Sequence, residues 1–214
     1  MSGDRSKASA HLRKWPKISN SYMASNTIQK LIIKIEDAPG HGLTAYHSQF
    51  NDGDFQSVGN MFLLPVKTKF RGNAPFGDAG AEDIVDEALG LFRANCLFRN
   101  FEIKGNADRV LIYLILFISE CLGKLNKATP QGDAAKQLQT LAVSNFALPG
   151  DPSFPLNAMY APPADRVQAD QMRQYVQQLR QELVTRLVEQ VYVDGKPSKW
   201  WLCFQKRKFM NLSL

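Results

Sequence analysis

Apolar and polar positions follow a helical beat in several stretches of this chain, and in one stretch the polar positions vanish. Val110 to Ile118 reads VLIYLILFI, nine apolar side chains in a row. At 3.6 residues per turn such a run leaves no face for water. A helix apolar all round is buried on every side, in a core or a bilayer. A bilayer span needs ~20 such residues, whereas Arg109 precedes this run and Ser119, Glu120 and Lys124 follow it closely. A buried parallel strand is the rival, because Val110, Ile112, Ile115 and Ile118 are β-branched and short apolar runs are ambiguous. The pattern continues through Cys121, Leu122 and Leu125, too long for a typical strand, and predicts a helix. Its ends agree: Asn106 as cap, Asp108 in the first turn, Lys124 and Lys127 near the end, as the helix dipole favours. A central buried helix surrounded by others is the expected all-α architecture.

Glu82 to Phe101 reads as an amphipathic helix. Val85, Leu89, Phe92 and Cys96 carry its stripe, widened by Ile84, Ala88, Leu91 and Leu97. Glu82, Asp83, Asp86 and Glu87 load its first turns with negative charge, which suits the positive end of the dipole better than acid/base chemistry or metal binding. A shorter helix over Asp133 to Val143 turns Leu138, Leu141 and Ala142 inward, after a break at Thr129-Pro130-Gln131-Gly132. Asp165 to Tyr192 is the longest helix. Met172, Val176, Leu179, Leu183, Leu187 and Val191 form its stripe, with Arg173, Gln177, Arg180, Gln181 and Glu189 assigned to water. A coiled-coil seam would need more repeats than this stripe holds, so packing on the central helix is expected. Between elements, Asn51-Asp52-Gly53-Asp54 signals a turn. Pro65 limits Met61 to Phe70 to an edge strand or extended packing segment, and Arg71 to Gly80 reads as a loop. Five prolines between Leu148 and Pro163 stiffen a connection pinned to the core by Phe154, Leu156, Met159 and Tyr160.

Charge divides the chain. Of the net +6, residues 1–44 hold 7 Lys/Arg against 3 Asp/Glu, and the other 170 residues hold 19 against 17. The body is near neutral, so the overall basicity argues poorly for nucleic acid. Residues 1–44 contain no acid from Arg5 to Ile35. They read as a disordered basic extension rather than a transit peptide, leaving 45–214 as a single helical domain. Cys96, Cys121 and Cys203 form no paired motif. Reduced thiols, with the first two buried, fit a reducing compartment such as the cytosol. No transmembrane segment is expected.

The tail KPSKWWLCFQKRKFMNLSL interleaves five basic residues with Trp200, Trp201, Phe204 and Phe209. Such a pattern suits single-stranded nucleic acid, an anionic membrane or an acidic protein surface. It equally suits aromatics that lock the tail into its own domain beneath solvated lysines. Lys199, Trp200, Trp201, Lys206, Arg207 and Lys208 are the partner-interface candidates. His11, His41 and His47 lie in or beside the N-terminal segment, away along the chain from any carboxylate cluster. With no HExxH, GxSxG, phosphate loop or dinucleotide fingerprint, catalytic, cofactor-binding and metal residues are all assigned as none, and no enzyme is expected.

Several unusual strings occur in order: VGNMFLLPVKTKF from Val58, DIVDEAL from Asp83, ADRVLIYLILFISECL from Ala107, FPLNAMYA from Phe154, and the tail itself. From about Ala45 to Leu214 the chain thereby resembles the family of subunit 3 of the actin-related protein 2/3 complex. That resemblance implies an all-α fold with one helix surrounded by others, and a non-catalytic role. It also implies membership in a seven-subunit assembly that nucleates actin branches, within the cytoplasmic actin cytoskeleton. The partners it implies are the other subunits, chiefly actin-related protein 3, and the actin filament. Residues 1–43 are extra to the family pattern, and the loops at Gly72–Gly80 and Ala128–Ala135 diverge from it. The alternative is a nucleic-acid or anionic-membrane binding module built on the tail.

Overall fold

A computed structural model describes residues 45–214; the readings made for residues 1–44 lie outside the described residues. Among the described residues, five α-helices and two small antiparallel sheets follow a 3-10 turn over Gln49–Asp52. In chain order they are β1 (Ser57–Val58), β2 (Met61–Phe62), α1 (Ile84–Asn95), α2 (Asn106–Lys124), α3 (Gln131–Val143), α4 (Arg166–Val191), β3 (Tyr192–Val193), β4 (Lys196–Pro197) and α5 (Lys199–Leu202).

The apolar run is helical and lies within α2. Every side chain from Val110 to Ile118 is at most 3% exposed, with α1, α3, α4, β2 and the 3-10 turn packed around it. Its N-terminus is not capped by Asn106, which is the first helical residue and accepts from Arg109 Nη1 at 2.9 Å. Asn51 supplies the cap from elsewhere in the chain, its Oδ1 accepting from the Asp108 N–H at 3.1 Å. Gly105 makes room for it, since a Cβ there would lie 2.4 Å from that oxygen.

Asp108 is buried and gathers the start of the domain. Its carboxylate accepts from the backbone N–H of Ser48 (2.8 Å) and Lys104 (2.9 Å) and from Asn51 Nδ2 (2.8 Å). His47 Nδ1 stands 2.8 Å from the same group. The histidine is remote from carboxylates in sequence but not in space. Burial alone would raise the Asp108 pKa; the donors outweigh it and hold the carboxyl below its ordinary value. Alongside, Glu87 accepts from Ser48 Oγ (2.6 Å) and Gln49 N–H (2.8 Å). Asn95 exchanges two 3.0 Å bonds with the Tyr46 backbone.

α1 is shorter than its stripe suggests, ending at Asn95 rather than Phe101. Short bonds from Leu97 to Ala94 and from Phe98 to Asn95 turn the chain, and Phe101 doubles back onto His47 and Phe209. Asp83 caps α1 in a box with Asp86. These carboxylates do more than serve the dipole: Arg186 of α4 reaches Asp83 (2.7 Å), Asp86 (2.8 Å) and Glu182 (2.7 Å), and Lys67 reaches Asp86 (2.7 Å).

α4 buries its whole expected stripe, all at 1% exposure or less. Arg180, assigned to water, is instead 3% exposed. Its guanidinium lies 4.2 Å from the Phe117 ring centroid and 4.6 Å from that of Phe146, and it donates to Tyr113 Oη and Leu141 O. A flat, weakly hydrated cation is the one charged group that stacks well between rings. α3 begins at Gln131, immediately after Pro130, and Leu141 is half-buried.

Candidate partner interface

The C-terminal tail begins where α4 gives way to a tight hairpin. Asp194 (φ 51°) and Gly195 (φ 72°) adopt the left-handed region that a two-residue turn between β3 and β4 demands. Ser198 then bonds back to Val191 O at 2.8 Å and caps α5 by accepting from Trp200 N–H. Consecutive residues on a helix point ~100° apart, so the adjacent tryptophans part company.

Trp201 goes inward. It is 5% exposed and stacks on Phe92 of α1, centroids 5.8 Å apart and planes 12° from parallel, while the Arg93 guanidinium sits 5.2 Å from its ring centre. Phe204 meets the edge of Phe92 at 5.9 Å, and Phe209 meets Phe101 at 5.7 Å. Gln205 Nε2 donates to Leu122 O (2.7 Å) and Leu125 O (2.6 Å) at the C-terminus of α2. The tail is therefore fastened to both α1 and α2.

Trp200 goes outward, 38% exposed, with Lys199 Nζ 5.3 Å from its ring centre. Lys199, Lys206, Arg207 and Lys208 are exposed as well. Of the six residues marked in the sequence, five are exposed and Trp201 helps hold the tail in place. Which tryptophan did which was not legible from WW alone; it follows from the turn angle once Phe92 fixes the inner direction.

The cysteines separate likewise. Burial pushes the Cys96 thiol up to about 12 and raises Cys121 too, so both stay protonated, whereas Cys203 is exposed, its Sγ 3.3 Å from Trp200 O. Among the described residues no group of three or more His, Cys, Asp or Glu is arranged to hold a metal ion. No helix there is long and apolar enough to cross a membrane. Sequence reasoning missed one conspicuous exposed group, Phe76, which is 99% exposed in the Arg71–Gly80 loop. A phenylalanine among glycines and a proline was the available signal.

Comparison with known proteins matches residues 43–214 to the family P21-Arc, the ARP2/3 complex ARPC3 (21 kDa) subunit. The Schizosaccharomyces pombe actin-related protein 2/3 complex subunit 3 is 56% identical over 175 residues, covering 80% of this chain and 100% of the relative. The Dictyostelium discoideum protein of the same name is 54% identical, covering 79% and 99%. That of Arabidopsis thaliana is 39% identical, covering 78% and 97%. With the match running across every described element, this chain belongs to the family of ARP2/3 complex 21 kDa subunits.

Proposed function

We propose that the chain is a non-catalytic structural subunit of the actin-related protein 2/3 complex. It supports nucleation of branched actin filaments in the cytoplasmic actin cytoskeleton, packing against actin-related protein 3 and lying near the mother filament. Its residues 45–214 act as one rigid helical bundle that presents the outer side of the tail to an actin-like partner.

The single observation that supports this most is the division of the tail. Trp201, Phe204 and Phe209 are fixed in the domain, while Lys199, Trp200, Lys206, Arg207 and Lys208 stand outward on that frame. An aromatic flanked by cations, pre-ordered by its backing, loses little entropy on docking and steers toward acidic surfaces. The names of the relatives, all subunits of one complex, support the same reading.

The test is a double charge reversal, Lys206→Glu with Arg207→Glu. It is expected to weaken co-purification with the other subunits while the melting temperature stays at the wild-type value; undiminished co-purification refutes the assignment. The alternative, a nucleic-acid or anionic-membrane module, would show as binding of single-stranded DNA or anionic vesicles by the isolated protein, falling steeply with salt.

A further inference from the structure

Phe76 is 99% exposed, yet the loop that carries it is closely tied down. Val66 N–H donates to Pro75 O at 3.0 Å and Gly77 N–H to Val66 O at 3.2 Å, so the residues on both sides of the ring are bonded to the chain beneath. A few residues earlier, the buried Gln178 of α4 clasps the loop's shoulders. Its Nε2 donates to Phe70 O and its Oε1 accepts from Ala74 N–H, both at 2.8 Å. Two glycines permit the close fit: a Cβ on Gly72 would lie 2.3 Å from Gln178 Oε1, and one on Gly77 2.9 Å from the Lys67 nitrogen.

A fixed backbone that holds a large apolar ring wholly in water is arranged for a receiver. We propose that Phe76 is an anchor that enters an apolar pocket on a neighbouring subunit of the same complex. This rests on the chain's being a subunit of that complex and adds a contact surface apart from the tail. Two observations select a sibling subunit over a transient partner. The ring stays fully hydrated whenever the subunit is alone, an exposure that suits permanent assemblies, whose interfaces are the more apolar ones. The family, moreover, is defined by membership in one assembly. Charge adds a rim: Lys69 and Arg71 are exposed where the loop starts, while the loop's acid, Asp78, turns its carboxylate to the Gly80 N–H at 3.0 Å. The pocket that fits is apolar at its floor and acidic at its edge.

The experiment places the photo-crosslinking residue p-benzoylphenylalanine at position 76 of the full chain, co-expressed with the other subunits. The purified, actin-free complex is irradiated, and the joined chain is identified by mass spectrometry. A parallel Phe76→Ser variant is followed by its rate of loss from the complex. The expected result is a crosslink to another subunit, and for Phe76→Ser dissociation about ten- to a hundredfold faster at an unchanged melting temperature. Crosslinking only after filamentous actin is added, crosslinking only between two copies of this chain, or wild-type retention of Phe76→Ser would each overturn the anchor. If wild-type chain itself fails to co-purify, the subunit reading falls and takes the anchor with it. Wild-type chain that co-purifies beside an equally retained Phe76→Ser removes the anchor alone.

Discussion

Asp108 ties the start of the domain to α2 through one buried side chain. Replacing it with Asn keeps the shape but puts a donor where one carboxylate oxygen stood, facing either Ser48 N–H and Asn51 Nδ2 or Lys104 N–H and His47. Asp108→Asn is therefore expected to destabilise the domain by ~2–4 kcal/mol in denaturant titration. Its pKa lies below the unfolded value of ~3.9, and so does that of Asp86, where Lys67 and Arg186 outweigh burial. Their contribution is thus present above about pH 4 and is lost as pH falls through the lower folded values. Glu87, raised by burial, works in the opposite direction. The wild type should lose melting temperature below about pH 4, and Asp108→Asn should flatten that loss. Arg180→Lys keeps the charge but not the flat contact with Phe117 and Phe146, and is expected to cost ~1–2 kcal/mol in thermal unfolding. None of this was legible in the sequence. An arginine on a helix flank and a histidine near the start of a domain look solvated until distant segments close over them.

Among the elements, α2 is the rod the others cover and α4 the longest helix laid against it. Leu114→Ala, at a position 0% exposed, should destabilise by ~2–5 kcal/mol through the cavity it leaves, read as a fall in denaturant midpoint. Arg186→Ala should cost ~3–5 kcal/mol because it removes the cation paired with the buried Asp83 carboxylate at the start of α1, leaving that charge only its backbone N–H donors; the side chain of Asp83 is 4% exposed. The double variant Arg186→Leu with Asp83→Asn should recover part of that loss. Apolar spacing made both long helices and their inner stripes readable, because burial is written locally at every third or fourth residue. Helix ends were less readable. The cap on α2 comes from Asn51, 57 positions before the Asp108 N–H it accepts, and α1 stops where Asn95 is claimed by Tyr46. Both are decided by contacts between distant parts of the chain.

For the whole molecule, family membership was legible from ordered strings and not from periodicity or charge. The tail's composition alone left core and interface equally open, and only the three-dimensional split between Trp200 and Trp201 distinguished their positions. We further propose that residues 45–214 form the complete folding unit, consistent with a family match that begins at residue 43. A chain started at Ala45 is then expected to melt with the full-length protein and to be retained equally by the other subunits, as judged by calorimetry and quantitative pull-down. The cysteines carry a practical corollary. Maleimide dyes attack thiolates, and the two core sulfurs are kept protonated by their surroundings. Both are buried out of a dye's reach as well, so labelling is directed to the exposed Cys203, next door to Trp200 in the fold. The native polypeptide thus carries a built-in address for a fluorophore, whose attachment rate and emission would report, without any engineered residue, the moment another surface closes over the tail.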